Sequence, residues 1–127
     1  MTRSPRTPKG LSEHAGRWWR RVVPRLVEMG VVDRDADYGR LVMLAQAWGM
    51  AQTAYDKILE EGLFRQDENN VTRKHPAHQV WRDSANVYNS LGKELGLTPM
   101  SRSRLGVKDD DGDDELSQFL RRGRNVR

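Results

Sequence analysis

The sequence predicts a mainly α-helical protein, a bundle of three main helices followed by a short fourth helical turn. Apolar residues recur at helical spacing in three segments, and a glycine follows each segment at the position where helices end: Gly30, Gly62 and Gly96. The chain has 127 residues, enough for about one domain, so these helices are expected to share one core.

Composition excludes several classes of protein. No apolar run approaches the roughly 20 residues of a membrane span, and no apolar stretch follows the first residues as it would in a secretory signal. The chain contains no cysteine, which excludes disulfides, thiolate zinc sites and cysteine nucleophiles. We therefore expect a cytosolic protein with a basic bias, whose formal net charge is +4.

The charge is distributed unevenly along the chain. Residues 1–25 contain seven basic residues and one acidic residue, whereas residues 26–108 are neutral, with 11 of each. Residues 109–127 contain six acidic residues followed by four arginines. We predict a flexible basic arm over residues 1–10, a helical domain over 11–106, and an acidic linker with a C-terminal tail over 107–127. The basic front indicates an anionic partner, and a solubilising arm is the alternative.

The first helix is expected to begin after Ser12, whose side chain suits the N-cap position, and to end before Gly30. Pro24 lies inside its apolar pattern and should kink the helix or split it, because proline lacks an amide donor. Three arginines four positions apart line one edge of this helix, with Arg20 beside them: Arg17, Arg21 and Arg25.

A second, longer helix is predicted from an N-cap at Asp35 to about Glu61. It carries no charge from Leu41 to Tyr55, and its apolar residues occupy two faces. A helix that is apolar on two faces is buried on both. We favour contact between copies of the chain, and the central helix of a monomeric bundle is the alternative. The predicted contact between copies consists of Leu44, Ala47, Trp48, Ala51, Ala54 and Ile58.

The remaining elements are shorter. The segments 63–65 and 71–73 are compatible with a small β-hairpin. A third helix is expected to start at Pro76 and to end at Gly96. Thr98 then caps a short helical turn that runs through Leu105.

No residues have the spacing of a catalytic or metal site. His75 and His78 lie three apart without a carboxylate to complete a metal site, and they are interpreted as a surface pair at a helix start. The acidic run 109–115 fails as a calcium loop, because Val107 and Ser117 would occupy ligand positions. Phosphate-binding glycine loops and nucleophile elbows are absent from the sequence. We expect no enzymatic activity, no metal and no cofactor.

The arginine edge and the arm indicate nucleic-acid binding, because arginines along one side of a helix can contact several phosphates of a duplex. Such binding would tolerate many DNA sequences, since nothing here resembles a set of base-reading residues. A solvated amphipathic face is the alternative. The predicted DNA contacts in this part of the chain are Arg3, Arg6, Lys9, Arg17, Arg20, Arg21 and Arg25.

A series of motifs resembles a known family. The helix that begins at Pro76 is followed by Leu95-Gly96-Leu97-Thr98-Pro99 and by Ser101-Arg102-x-Arg104-Leu105. Upstream lie a tryptophan in the first helix, the boundary Gly30-Val31-Val32-x-x-Asp35, and the long helix ending in Glu61-Gly62. In this order and spacing the motifs resemble those of phage terminase small subunits, over about residues 12–106. Pro24 and His75 depart from the family pattern.

The resemblance implies a ring-shaped homo-oligomer that takes part in virion assembly. Small subunits of this family bind double-stranded viral DNA at the packaging initiation site and deliver it to the large subunit, which holds the ATPase and nuclease. The implied location is the cytoplasm of the infected bacterial host.

The resemblance bears on two further sets of candidate site residues. Arg102 and Arg104 are further candidate DNA contacts, with a structural role in the signature as the alternative. A short docking segment for the large subunit is predicted at Leu116, Phe119 and Leu120. Two alternative functions stay open, a helical assembly or protein-interaction factor without DNA binding and a helix-turn-helix regulator that uses the first two helices.

Overall fold

The computed structural model describes residues 3–106, and the predicted docking segment near the C-terminus lies outside them. The elements in order are α1 (Glu13–Glu28), α2 (Tyr38–Glu61), β1 (Phe64–Gln66), β2 (Thr72–Lys74), α3 (Ala77–Glu94) and α4 (Pro99–Arg104). The predicted mainly helical fold, with three main helices, a short fourth and a small β-hairpin, is confirmed. None of the helices in this part of the chain has the length and apolarity to cross a membrane.

Helix α2 lies at the centre of the bundle, and both α1 and α3 pack against it. Leu41, Leu44 and Ala45 of α2 are completely buried, and Trp19 and Val23 of α1 belong to the same cluster. Burying a leucine side chain stabilises a fold by roughly 1.5–3 kcal/mol. Packing within one chain therefore explains part of the charge-free stretch of α2, whereas Met43, Met50 and Tyr55 in the same stretch stay about half exposed.

This packing corrects the predicted contact between copies. Leu44, Ala47, Ala51 and Ala54 are at most 6% exposed, because the chain's own helices cover them. Trp48 and Ile58 are half-buried. In the described fold α2 is the central helix of a bundle, as the alternative has it. Contact between copies stays a prediction, and Leu44, Ala47, Ala51 and Ala54 offer little surface for it.

Helix α1 starts and stops as its sequence predicts. The Ser12 Oγ accepts a hydrogen bond from the Ala15 N–H at 3.2 Å. At the other end Gly30 has a φ of +71°, and the Gly30 and Val31 N–H groups donate to the Val27 and Leu26 carbonyls. The helix continues through the exposed Pro24, so it is not split, and the alternative of a kink stays a prediction. At this exposed position, water can satisfy the carbonyl that proline leaves without a helical donor.

The start of α2 differs from the prediction, since Asp37 and not Asp35 is its N-cap residue. The acidic residues before it form a turn of their own. The Asp33 carboxylate accepts hydrogen bonds from the Ala36 and Asp35 N–H groups, and these bonds hold the pKa of Asp33 below its ordinary value. A short acidic side chain bound to the nearby backbone competes with helix formation, which delays the helix.

Part of the N-terminal segment packs against the bundle. Pro5 is buried, and its carbonyl accepts a hydrogen bond from the Trp19 Nε1–H at 3.2 Å. Arg34 donates to the Arg3 carbonyl at 3.1 Å. The prediction of a flexible arm over residues 1–10 did not include these contacts. They anchor the backbone while the side chains of Arg3, Arg6 and Lys9 stay exposed.

The two strands form an exposed antiparallel hairpin in which Arg65 lies opposite Arg73. Like charges in this register repel each other. Asp67 offsets the repulsion, because its carboxylate accepts a hydrogen bond from the Arg73 Nε–H at 2.8 Å. This bond, together with those from the Val71 and Asn69 N–H groups, holds the pKa of Asp67 below its ordinary value.

The turn from α3 to α4 explains the Leu-Gly-Leu-Thr-Pro motif. Leu95 is buried, and Gly96 has a φ of +80°, a conformation that favours glycine. Thr98 forms a capping box with Ser101, and Pro99 begins α4. The Val31 side chain of the α1–α2 loop packs where a Cβ on Gly96 would lie, and its Cγ1 would clash with that Cβ.

His75 corrects another prediction, because it is buried rather than at the surface. Its Nδ1 accepts a hydrogen bond from the Ala77 N–H at 2.9 Å, and its Nε2 lies 2.7 Å from the Glu61 carboxylate. An Nε2–H tautomer satisfies both contacts. The hydrogen bond from His75 is the main cause that holds the pKa of Glu61 below its ordinary value. One side chain thus caps α3 and ties it to the end of α2.

We predict that Gly96→Ala destabilises the fold more than Gly30→Ala does. Both glycines have positive φ, so each alanine costs about 1–2 kcal/mol of backbone strain. Only the Cβ at position 96 also meets Val31, which adds about 1–3 kcal/mol of overpacking. Urea unfolding of the two variants measures the difference, and equal losses of stability would contradict this packing.

We also predict that His75→Ala lowers the free energy of unfolding by about 1–3 kcal/mol, since it removes a buried side chain and its two hydrogen bonds, to Glu61 and to the Ala77 N–H. His78→Ala is the matched control, because the His78 side chain forms no hydrogen bond within residues 3–106. Its effect should stay within about 0.5 kcal/mol. Thermal unfolding of both variants provides the test, and a similar stability for the two would refute the role of His75.

Candidate nucleic-acid interface

Arg17 and Arg21 project from one edge of α1, as the four-residue spacing predicts, and both are exposed. An Arg17 guanidinium nitrogen lies 3.4 Å from the His14 Nδ1, and the His14 Nε2 lies 2.6 Å from the Asp56 carboxylate on α2. Arg21 forms no hydrogen bond or ion pair with any residue from 3 to 106. The Arg21 guanidinium is therefore available to a ligand.

These two arginines stand at a pocket of about 330 Å³ where α1, α2 and α3 meet. Its wall is aromatic: the ring centroids of Trp48 and Tyr88 are 5.4 Å apart, and Trp18 meets Tyr88 edge-on at 6.1 Å. The Trp18 Nε1–H donates a hydrogen bond to the Tyr88 hydroxyl at 3.0 Å, which holds the two rings together. The complete lining is His14, Arg17, Trp18, Arg21, Val22, Trp48, Gln52 and Tyr88. We call it the arginine–aromatic pocket.

The other cations predicted at the front of the chain lie on α1 or on the segment before it. Arg20 and Arg25 are exposed, and Arg25 lies 3.8 Å from Glu28. The arm is anchored at Trp19 rather than at Trp18, and neighbouring side chains on a helix diverge by about 100°. Within the described residues no hydrogen bond or ion pair joins Arg3, Arg6 or Lys9 to the arginine–aromatic pocket.

The two arginines of α4 differ from each other. Arg102 is half-buried, and its guanidinium donates to the Gly96 carbonyl at 3.2 Å. It therefore ties α4 to the glycine turn, which is the structural alternative for this residue. Arg104 is exposed and borders a shallow depression with Lys93 and Glu94.

An apolar surface runs along α2 and α3 and reaches the start of α1, where Leu11 and Ala15 line part of it. Met43, Met50, Val80 and Val87 are each between 42% and 56% exposed. They border two adjoining depressions that share Gln46 and Met50, the larger of about 550 Å³. We call these four residues and the depressions the apolar groove. Sequence reasoning missed it, although both the methionine pair and the valine pair are seven residues apart, a spacing that places side chains on one helix face.

The arginine–aromatic pocket was also missed as a unit. The sequence predicts Trp48 to contact a second copy, and neither Tyr88 nor Gln52 is among the predicted site residues. The sequence indicates this pocket only through the arginines spaced four apart on α1. The residues of α2 and α3 that complete the pocket come together with them only on folding. Within residues 3–106, no three His, Cys, Asp or Glu side chains are grouped so that they could hold a metal ion.

Comparison with known proteins gives one family. The family model described as the phage terminase small subunit matches residues 15–112. Comparisons with curated proteins and with solved structures give no match. The matched range begins in α1 and continues past α4, so it includes the arginine edge and the glycine turn.

Proposed function

The chain belongs to the phage terminase small subunit family, and we propose that it binds viral DNA at the packaging initiation site and recruits the large terminase subunit. In this proposal the chain is a non-catalytic regulator in the cytoplasm of the infected bacterial host. The ATPase and nuclease activities belong to the large subunit. The observation that carries the DNA-binding part is the exposed arginine edge of α1, in which Arg21 has no partner among residues 3–106.

The charge around this edge favours a polyanion. Residues 1–25 carry seven basic residues and one acidic residue. The Asp56 carboxylate on α2 lies 2.6 Å from the His14 Nε2 and not against either arginine. Duplex DNA attracts such a surface through its phosphates, independently of the base sequence. Arg17 and Arg21 are therefore the central contacts of the proposed DNA-binding surface, while Arg102 has a structural role.

We predict that the double variant Arg17→Ala/Arg21→Ala weakens duplex binding about equally for all DNA sequences. The slope of log affinity against log salt concentration should become shallower by about 2, or about 1 for each phosphate contact removed. Fluorescence anisotropy with a labelled duplex at several salt concentrations measures both quantities.

The matched control is Arg40→Ala/Arg82→Ala, which removes two exposed arginines from α2 and α3. This control changes the net charge by the same amount as Arg17→Ala/Arg21→Ala. The slope of log affinity against log salt concentration should nevertheless stay mostly unchanged. If the two double variants bound DNA alike, only overall charge would matter and the arginine edge would not be the site. Unchanged binding in both would favour an assembly factor that does not bind DNA.

We further propose that copies of the chain associate through the apolar groove into a ring. The residues first predicted for this contact are mostly covered by the chain itself, whereas Met43, Met50, Val80 and Val87 are exposed beside one another. Monomeric proteins rarely expose large continuous apolar patches, and such patches commonly mark interaction surfaces. The groove is also almost free of charge, since Lys57 and Asp83 are the charged residues along its lining.

We predict that Met50→Glu reduces the assembly to smaller species, because a carboxylate would be buried without a partner in the contact between copies. Met100→Glu is the control, since Met100 on α4 is even more exposed, at 73%, but lies outside the groove. Light scattering after gel filtration measures both masses. If Met50→Glu kept the parent mass, the groove would not be the contact.

Recruitment of the large subunit is assigned to the segment beyond residue 106. Leu116, Phe119 and Leu120 follow a run of acidic residues, a pattern typical of a short docking segment on a linker. This proposal rests on sequence and on the family.

We predict that truncation after Lys108 leaves the assembly intact and abolishes binding to the large subunit. The truncated chain keeps every element of the described fold. Co-purification with the large subunit measures the interaction, and light scattering measures the mass. Loss of the assembly would make the tail structural, and retained co-purification would place the docking surface elsewhere.

A further inference from the structure

We propose that the arginine–aromatic pocket binds a single unstacked nucleotide of the DNA. The base would lie against Trp48 and Tyr88, and its phosphates would meet Arg17 and Arg21 at the rim. This inference rests on the proposed function in one respect, namely that the ligand is DNA. It adds that the surface recognises a base out of its stack as well as the duplex backbone.

The aromatic wall is suited to the flat face of a base. Trp48 and Tyr88 are half-buried, so part of each ring remains open to the pocket. Their ring planes are inclined at 49°, and the hydrogen bond from Trp18 fixes the position of Tyr88. Stacking on aromatic side chains is the common way in which proteins bind single-stranded nucleic acid, and every base has a face that can stack. The pocket volume of about 330 Å³ falls in the range of small-molecule sites, about 300–1,000 Å³.

Polar groups in the pocket remain available for the edge of a base. The Gln52 side chain hydrogen-bonds to no residue between 3 and 106, and its carboxamide carries both donors and an acceptor. The Tyr88 hydroxyl accepts a hydrogen bond from Trp18, which leaves its own hydrogen to donate. An occupant with donors and acceptors at its edge fits this wall better than a purely apolar side chain would.

The charge at the rim selects an anionic occupant. Arg17 and Arg21 are one helical turn apart and both line the pocket. The acid beside them, Asp56, is paired with His14. The larger apolar groove has no arginine in its lining, so the combination of guanidinium groups with aromatic rings distinguishes this pocket from it. A nucleotide supplies both the flat ring and the negative charge that this combination recognises.

Intrinsic tryptophan fluorescence of the full-length chain tests the proposal. The chain has four tryptophans, of which Trp18 and Trp48 line the pocket, Trp19 is buried and Trp81 is exposed on α3. A Trp81→Phe background removes the exposed fluorophore outside the pocket. A short single-stranded thymidine oligonucleotide and a duplex of equal length are titrated separately, and single thymidine nucleotides are titrated in a third arm.

The single strand is expected to quench the fluorescence. Trp48→Leu should weaken single-strand binding by roughly 5- to 150-fold, the range for loss of one stacked base, and change duplex binding by less than about twofold. Quenching by single nucleotides assigns the pocket to any free nucleotide, whereas quenching by the strand alone shows that neighbouring phosphates are needed. Both results support the site, and an absence of quenching in all arms overturns it.

A second pair of variants keeps the test independent of folding, because Trp48 also packs against the core. Gln52→Ala removes a side chain without hydrogen bonds in the described fold and should weaken single-strand binding several-fold. Gln46→Ala on the same helix borders the apolar groove instead and should have no effect. Equal single-strand affinities of these two variants would overturn the proposal.

The outcomes also separate this inference from the proposed function. One outcome is that Gln52→Ala and Trp48→Leu bind single strands normally while Arg17→Ala/Arg21→Ala binds duplex poorly. In that case the proposed nucleotide site is wrong, and the proposed duplex-binding surface remains. If the arginine variant binds duplex normally, the proposed function itself fails. A peptide with the sequence of residues 109–120, which combines acids with Phe119, is the final control. If this peptide quenched the fluorescence and the oligonucleotide did not, the proposal of a nucleotide site would be overturned. The pocket would then be assigned to the chain's own tail.

Discussion

The burial of α2 on two sides is the constraint on which the rest of this structure depends. A helix without charge from Leu41 to Tyr55 has no face that water solvates well, so it must be covered from both directions. Here α1 and α3 provide that cover. Small residues such as Ala45, Ala47 and Ala51 allow the neighbouring helices to approach closely.

The two candidate surfaces follow from this arrangement, because neither α1 nor α3 covers α2 completely. Where all three helices meet, Trp48 is left half-buried beside Arg17 and Arg21, which produces the arginine–aromatic pocket. Along the other border of α2, Met43 and Met50 stay exposed next to valines of α3. One central helix thus separates a basic, aromatic surface from an apolar one. This separation suits the proposed function, in which one surface holds DNA and the other contacts a second copy, since arginines would weaken an apolar contact.

The connections hold these surfaces in position. His75 joins the end of α2 to the start of α3 across the hairpin. The side chain of Val31, in the loop after α1, packs against Gly96. Arg102 donates to the same glycine turn. The family motifs around Gly96 are therefore explained by packing, and the departure at His75 is compensated by its pairing with Glu61.

The sequence by itself determined the elements and most of their ends. Gly30, Gly62 and Gly96 end helices because their backbones adopt positive φ, and Ser12 and Thr98 cap helices through bonds to residues three positions away. These are local effects, so local sequence predicts them. Local sequence failed at Asp35, where a competing turn displaced the cap, and at His75, whose partner Glu61 lies 14 residues away. Only the tertiary structure decided which side of α2 is covered, and hence that Leu44 is core while Met50 is surface. Periodicity shows that a face is apolar, but what covers that face depends on how distant helices pack.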